Sequence, residues 1–277
     1  MRTPTSWGGR LLRESRHAVG FALAGGALFA CSLITNLNPL TSDAGSADAA
    51  GDVAVDAAND ATFCAQYADA GPLTYCEDFD SVTDAAALNL VESGATATLD
   101  TTDYVSPPAS LLVNVPMLPD AGSTSRAYLS HGIAAEPTTV TVDFWLQVEN
   151  ATTGYANVMV INLAAADFEF QLVLQLYPGS YALQERVPTA DGGATQVTHS
   201  ATDFQWDSNW HHIVVTLSVA TPKSSTLTLD DGKEVQVNSL DTSWETGVFT
   251  LDVGVTSVPQ PTTWTVHIDN VLAQLSL

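Results

Sequence analysis

The side chains best suited to hold a ligand are aromatic. Trp145, Trp206, Trp210, Trp244 and Trp264 fall in the second half of the chain, with Tyr155, Tyr177 and Tyr181 among them. Indole and phenol rings stack on the apolar faces of pyranose sugars, while neighbouring Asn, Gln and Asp fix the hydroxyls. Alternation sets Trp145 apart. In Val140-Thr-Val-Asp-Phe-Trp-Leu-Gln-Val148, the residues Val140, Val142, Phe144, Leu146 and Val148 point one way. Thr141, Asp143, Trp145 and Gln147 point the other way. The first set is core, so Trp145 stands on the polar face. Trp206 and Trp244 lie in polar segments, Phe-Gln-Trp-Asp-Ser-Asn and Asp-Thr-Ser-Trp-Glu-Thr, which read as loops or strand ends. The ligand-binding candidates are Trp145, Trp206, Trp244 and Tyr155. For each ring taken singly, structural packing is the competing explanation.

Catalytic signals are thinner. Asp167-Phe-Glu169 puts two carboxylates on one strand face, the kind of pair that glycoside hydrolysis needs. His211 and His212 are adjacent on a strand, so they point to opposite faces and cannot chelate one ion together. His267 and Asp269 share a face, where a solvated pair accounts for them. No Gly-x-Ser-x-Gly, His-Glu-x-x-His or phosphate-binding glycine loop occurs. No catalytic residue is assigned. The expectation is a non-catalytic protein, with enzymatic activity left open.

The elements that must carry these side chains are strands. From Cys64 onward Val, Thr, Leu, Ile and aromatics dominate, in runs of four to ten residues with period-2 alternation. Thirteen such runs occur, among them 90–99, 139–148, 156–163, 168–177, 196–199, 211–219 and 264–275. Turn signals separate them, notably Pro107-Pro108, Pro178-Gly179 and Asp231-Gly232. Thirteen strands cannot lie in one open sheet without curling, so two packed antiparallel sheets are expected. The sole helical hint after residue 64 is one turn within 84–90.

The N-terminus reads differently. Arg2, Arg10, Arg13 and Arg16 precede an uncharged, mostly apolar run of 13 residues, 18–30. A bilayer span needs about 20 residues, so this run suits a signal peptide instead. Leu28-Phe29-Ala30-Cys31 resembles a bacterial lipobox, which makes Cys31 the lipidated first residue of the mature protein. Ser32 in place of Asp then implies an outer-membrane or cell-surface destination. The alternative is ordinary cleavage near Ala30, with Cys31 left as a free thiol. Residues 31–62 are the lipidated cysteine and an Ala/Asp-rich stretch with no apolar stripe and no basic partner for its acids. That composition predicts a disordered tether. Export implies an oxidising compartment, and setting Cys31 aside leaves Cys64 and Cys76 as a disulfide pair.

Charge excludes one class of partner. The net charge is −23, and four of the eight Lys+Arg but one of the 31 Asp+Glu precede Cys31. The mature chain therefore sets Arg126, Arg186, Lys223 and Lys233 against 30 acids. Such a surface repels phosphate backbones, so no nucleic acid is expected, and anionic polysaccharides are disfavoured on the same ground. Neutral glycans, divalent cations and basic partners remain.

Trp210-His-His-Ile-Val-Val-Thr216, followed by Leu229-Asp-Asp-Gly-Lys-Glu-Val235, resembles the laminin-G-like and concanavalin A-like jelly rolls. Val140–Val148, Phe168-Glu-Phe-Gln-Leu-Val-Leu-Gln-Leu176, the opening Cys76-Glu-Asp-Phe-Asp80 and the closing Val266-His-Ile-Asp-Asn-Val271 resemble further strands of the same families. The resemblance implies an all-β, two-sheet antiparallel jelly-roll sandwich over 63–277, behind a signal peptide (1–30) and tether (31–62). It implies that Trp210 is core. It maps a structural Ca²⁺ site of carbohydrate-binding jelly rolls onto Asp80 and Asp269; strand-end capping is the alternative. Retaining glucanases of this fold carry Glu-x-Asp-x-Glu, and here Ala165 stands at the nucleophile position before Asp167 and Glu169. Tyr177-Pro-Gly-Ser-Tyr181-Ala-Leu-Gln184 is a loose echo of an alginate-lyase motif without its Lys. The expected function is a surface-anchored binding module for a neutral glycan or glycosylated partner, touching the membrane through its lipid alone. The alternatives are a polysaccharide-degrading glycosidase or lyase of the same fold, and a protein-adhesion or structural module.

Overall fold

Inward Val, Leu, Ile and Phe alternate with outward polar residues along strand after strand, and two sheets close on each other to bury the apolar set. The computed structural model describes residues 62–119, 123–165, 169–189, 194–202, 204–230, 232–237, 240 and 247–277. Cys31, the leader, the tether before Thr62, Trp244 and Asp167 lie outside them. Among the described residues the first strands are β1 (Thr74–Glu77), β2 (Leu90–Ser93), β3 (Thr96–Asp100), β4 (Ser110–Val115) and β5 (Thr124–Ile133). Next come β6 (Thr139–Ala151), β7 (Ala156–Ala164), β8 (Glu169–Tyr177), β9 (Ser180–Pro188) and β10 (Ala194–Thr202). The last are β11 (Trp210–Ser218), β12 (Ser224–Leu229), β13 (Lys233–Val237), β14 (Val248–Pro259) and β15 (Trp264–Ser276).

The first sheet runs β13-β12-β11-β6-β15-β4-β3, with β1 added beside β15. The second runs β10-β9-β8-β7-β14-β5-β2. Every strand pair is antiparallel. Phe144, Leu146, Ile213 and Ile268 of the first sheet meet Leu172, Leu174, Phe249 and Leu251 of the second in one buried cluster. Burying each such side chain contributes about 1.5–3 kcal/mol.

Three local features depart from the sequence reading. The run 90–99 is two strands, β2 and β3, on different sheets. They part at Gly94, whose φ of +67° no ordinary L side chain adopts freely. A Cβ there would also stand 2.9 Å from Ser125 Oγ. The run 196–199 is the middle of a nine-residue edge strand, β10. Trp210 is not core: it shares the outward parity of Gln147, its cross-strand partner, and is half-buried.

The Cys64–Cys76 disulfide is present, with Cα atoms 5.6 Å apart. It joins a 3₁₀ turn at Phe63–Tyr67 to β1. A second 3₁₀ turn, Ala85–Ala87, falls where one turn is expected. Asp84 caps it by accepting from the Ala86 amide.

Candidate functional site

The outer face of the second sheet is largely polar, with the cross-strand pair Val160 and Val173 in its middle. Leu172, Leu174 and Leu176 of β8 face the core, so Gln171, Gln175 and Tyr177 face out. On β9 the same parity turns Gln184 and Arg186 outward, and on β5 it turns out Arg126, Tyr128 and Ser130. A bulge in β7 between Asn157 and Met159 buries both Val158 and Met159, and sets Asn157 outward opposite Gln175. β14 shifts register against both neighbours near Gly254. Gly254 has φ +136°, and a Cβ there would lie 2.6 Å from Tyr128 Cα. Glycine is therefore what lets β14 pass close under Tyr128.

Hydrogen bonds order this face. Tyr177 donates its hydroxyl to Gln175 Oε1 in a very short bond, and Gln175 Nε2 donates to Asn157 Oδ1 at 2.9 Å. Asn157 and Gln175 are 2% and 3% exposed although neither lies in the apolar core. A second chain runs along β8 and β9. Arg186 donates to Gln184 Oε1 (3.1 Å) and to Gln171 Oε1 (3.5 Å), and Gln171 Nε2 donates to Glu169 Oε1 (3.0 Å). Ser130 Oγ donates to Asp252 Oδ1 at 2.7 Å. Between these groups stands Asn162, cross-strand partner of Thr250 and Gln171. Its Oδ1 is buried and makes no hydrogen bond.

The phenols are donors here. Burial, then the Asp252 charge, pushes Tyr128 above the usual phenol range against the pull of Arg126. Burial and neighbouring Tyr155 push Tyr177 up as well. Burial also raises the Asp252 carboxyl, with Ser130 pulling the other way and Glu169 adding to the rise. Protonated phenols, amides and one guanidinium network make a surface suited to polyhydroxylated ligands. The carboxyl groups of Asp252 and Glu169 lie on the same face. Among the described residues the histidines lie elsewhere: His131 stacks on Tyr75, and His199 pairs with buried Glu185.

The four aromatic candidates do not share one platform. Tyr155 borders this face, its ring 6.1 Å from that of Tyr177. Trp206 donates from Nε1 to the Tyr177 carbonyl (3.0 Å) and packs against Phe204, so it fixes the β8–β9 turn at the end of the face. Trp145 lies on the outer face of the first sheet, stacked on His212 at 4.9 Å. His212 is held in turn by Asp143 at 2.8 Å. Trp244 lies outside the described residues. The sequence reading missed Asn157, Asn162, Gln175 and Gln184. The shared parity of Gln171, Gln175 and Tyr177 is a usable signal. Asn157 and its bulge leave none.

Asp80 and Asp269 do come together, where β15 passes from its pairing with β4 to its pairing with β1. Asp269 is fully buried; its Oδ2 accepts from the Val105 and Ser106 amides, and its Oδ1 accepts from the Asn270 amide. Both Asp80 oxygens are buried without a hydrogen-bond partner. Burial, then Asp78, Asp269 and Glu77, pushes the Asp80 carboxyl up to about 7. Asp80 thus fits a hard cation, whereas the Asp269 oxygens already serve amides. Among the described residues no three His, Cys, Asp or Glu side chains form a metal-holding group. A Ca²⁺ at Asp80 would therefore need backbone carbonyls and water for the rest of its six to eight oxygens.

No protein-family model matches the chain, and no curated protein matches it. Among solved structures it is similar to an endo-β-1,4-glucuronan lyase from the fungus Trichoderma reesei, with a TM-score of 0.54 and 11% identity. That match covers 73% of this chain and 95% of the lyase. It is also similar to a cellulose-induced protein, with a TM-score of 0.51 and 15% identity, over 73% of this chain and 98% of that one. At such identities the likeness is one of fold: the chain is an all-β, two-sheet antiparallel sandwich of the concanavalin A-like jelly-roll kind.

Proposed function

We propose that the protein binds a glycan without cleaving it, on the amide and tyrosine face of the second sheet. The observation that carries this is the set of amides held rigid on an outward face, with Asn162 Oδ1 left without a partner. A hydroxyl-rich ligand that lies along β7 can donate to the half-buried Asn162 amide when that amide turns outward, and Tyr155 offers a ring at the other end of the strand. The similar solved structures named for glucuronan cleavage and cellulose induction agree with a polysaccharide partner. The lipobox-like Cys31 supports a position for this face outside the cell, on a lipid anchor. Mass spectrometry of the membrane-extracted N-terminus tests that part: an unmodified start at Ser32 would sink it.

A glycan array run with the detergent-solubilised chain, followed by affinity electrophoresis, tests the binding. Retention by a neutral glycan, lost in Asn162→Ala and kept in Trp145→Ala, supports this face. Loss in Trp145→Ala alone would move the site to the first sheet.

A second reading, polysaccharide lyase, rests on a local charge. Arg126 and Arg186, half of the basic residues after Cys31, both lie on this face. The field there is less acidic than the whole chain, so a uronate is not barred from it. Ultraviolet absorbance of unsaturated product on polyuronates, abolished in Tyr128→Phe or Tyr177→Phe, would establish cleavage.

We also propose a structural Ca²⁺ at Asp80, beside Asp269. It answers the two oxygens without partners and the uncompensated carboxylates around them. Its check is thermal melting with Ca²⁺ and with chelator: no shift in the native protein, or the same shift in Asp80→Asn, would remove the ion.

A further inference from the structure

The outer face of the first sheet holds a second set of polar atoms without partners. Strands β15, β6 and β11 bring His267, Gln147 and Trp210 into one row, with Gln147 the cross-strand partner of both others. The chain leaving β3 closes over that row with Asp100 and Asp103. Trp210 Nε1 donates to Asp103 Oδ1 at 2.9 Å. Gln147 Nε2 donates to Asp103 Oδ2 at 2.9 Å and to the Ser208 carbonyl at 2.8 Å. Both amide protons of Gln147 are thus in use.

The remaining atoms are not. Gln147 Oε1 and His267 Nδ1 are buried and make no hydrogen bond. Their residues are 7% and 4% exposed, so bulk water does not serve them. Leaving one such group unpaired costs about 1–3 kcal/mol. Asp100 Oδ2 stands 3.5 Å from His267 Nδ1, and Glu149 Oε2 stands 3.6 Å from Nε2. These gaps are long for hydrogen bonds. Two ligands on a tetrahedral ion with bonds near 2.0–2.1 Å stand about 3.4 Å apart.

We propose that His267 Nδ1, Asp100 Oδ2 and Gln147 Oε1 hold a divalent transition-metal ion, with water completing its shell. The imidazole selects the class, because Ca²⁺ and Mg²⁺ take oxygen ligands whereas Zn²⁺ and Co²⁺ accept nitrogen with oxygen. Among the described residues His, Cys, Asp and Glu form no metal group of three. The unpartnered Gln147 amide oxygen on the same face supplies the third protein ligand of the proposed site. Such an ion ties the Asp100–Ser106 stretch to β15 and β6, and that stretch carries the Val105 and Ser106 amides that cover Asp269. An ordered water bridging the same three atoms is the competing occupant.

The test is Co²⁺ titration of the untagged, detergent-solubilised full chain after chelator treatment. One equivalent with strong visible d–d bands is expected. Trp210 emission falls with it, because the Trp210 ring lies 6.1 Å from the His267 ring. His267→Gln and Asp100→Asn each abolish the bands. Trp210→Phe keeps the bands and loses the quenching. Asp80→Asn changes neither, which separates this site from the proposed Ca²⁺. Pale octahedral uptake without quenching means that the Asp-rich N-terminal segment alone binds, and that result overturns the site. No uptake at all, or full bands in His267→Gln, overturns it too. Should a ligand variant fail to fold by circular dichroism, the comparison of native protein with Trp210→Phe still decides.

Discussion

Gln175 Nε2 donates to Asn157 Oδ1 at 2.9 Å, at the point where β7 bulges. The bond makes two amides on neighbouring strands one rigid unit, and Tyr177 extends it through Gln175 Oε1. Gln175→Leu leaves Asn157 Oδ1 and the Tyr177 hydroxyl without partners. Each unpaired buried group costs about 1–3 kcal/mol. The expected result is a lower urea midpoint at unchanged slope, with at least a tenfold loss of retention on the glycan matrix. Unchanged retention in a folded variant would take this unit out of the binding face.

The Asp80 cluster predicts an unusual pH dependence. Its folded carboxyl titrates at about 7 and that of Asp269 at about 6, both raised from 3.8 chiefly by burial. A raised acid keeps its proton in the folded state while the unfolded chain has lost it. Its contribution to stability is thus largest below about 4 and falls as pH rises through 6 and 7. Asp100, where burial raises the carboxyl but hydrogen bonds to Thr102 and the charge of His267 together outweigh it, and Asp207, held low by hydrogen bonds to Asn209, act in the opposite sense. The difference in melting temperature between native protein and Asp80→Asn isolates Asp80. In chelator it should swing toward the variant between pH 4 and pH 7. Saturating Ca²⁺ should remove the swing, since the ion holds Asp80 ionised. A difference that stays flat in chelator would show that Asp80 titrates normally.

Alternation made most of this fold legible. Val140 to Val148 gave its inward and outward sets correctly because a strand slipped by one residue would expose Phe144 and Leu146. Gly94 hid a change of sheet, since a glycine inside an alternating run reads the same whether the strand continues or turns away. Trp210 looked like core by analogy, yet its indole Nε1 needed a partner and found Asp103 outside. The site was less readable still. Net charge describes the whole chain, whereas Arg126 and Arg186 act where they stand. Trp145 was singled out correctly as outward, but period 2 cannot say on which of two sheets a face lies.

The disulfide invites a quantitative check. Cys64 and Cys76 close a short loop, 12 residues apart, and tie the Phe63–Tyr67 turn to β1. Chain-entropy arguments give such a loop about 3 kcal/mol. For a domain of this size each kcal/mol moves the melting temperature by about 2–4 °C. The Cys64→Ser, Cys76→Ser double variant should therefore melt about 6–12 °C lower in a calorimeter, with its glycan retention at low temperature intact. Tyr75 beside Cys76 stacks on His131 of β5, but the Asn157–Gln175–Tyr177 unit lies on β7 and β8, so lost retention in a still-folded variant would mean that the binding face is wrongly placed.

Gly254 offers the sharpest link between backbone and site. A Cβ at this position would meet Tyr128 Cα at 2.6 Å and the Ala127 carbonyl at 2.7 Å, both backbone atoms that cannot swing away. The φ of +136° adds strain for any L side chain. Gly254→Ala must push β14 off β5, at a cost of about 3 kcal/mol in strain and lost packing. Tyr128 moves with β5, so retention on the glycan should fall even in the fraction that stays folded. Trp145 stands on the other sheet, and its stacking on His212 should persist, leaving the near-ultraviolet tryptophan signal of that face in place. Full stability in Gly254→Ala would mean that β14 has room to relax, and the close passage under Tyr128 would then not shape the face.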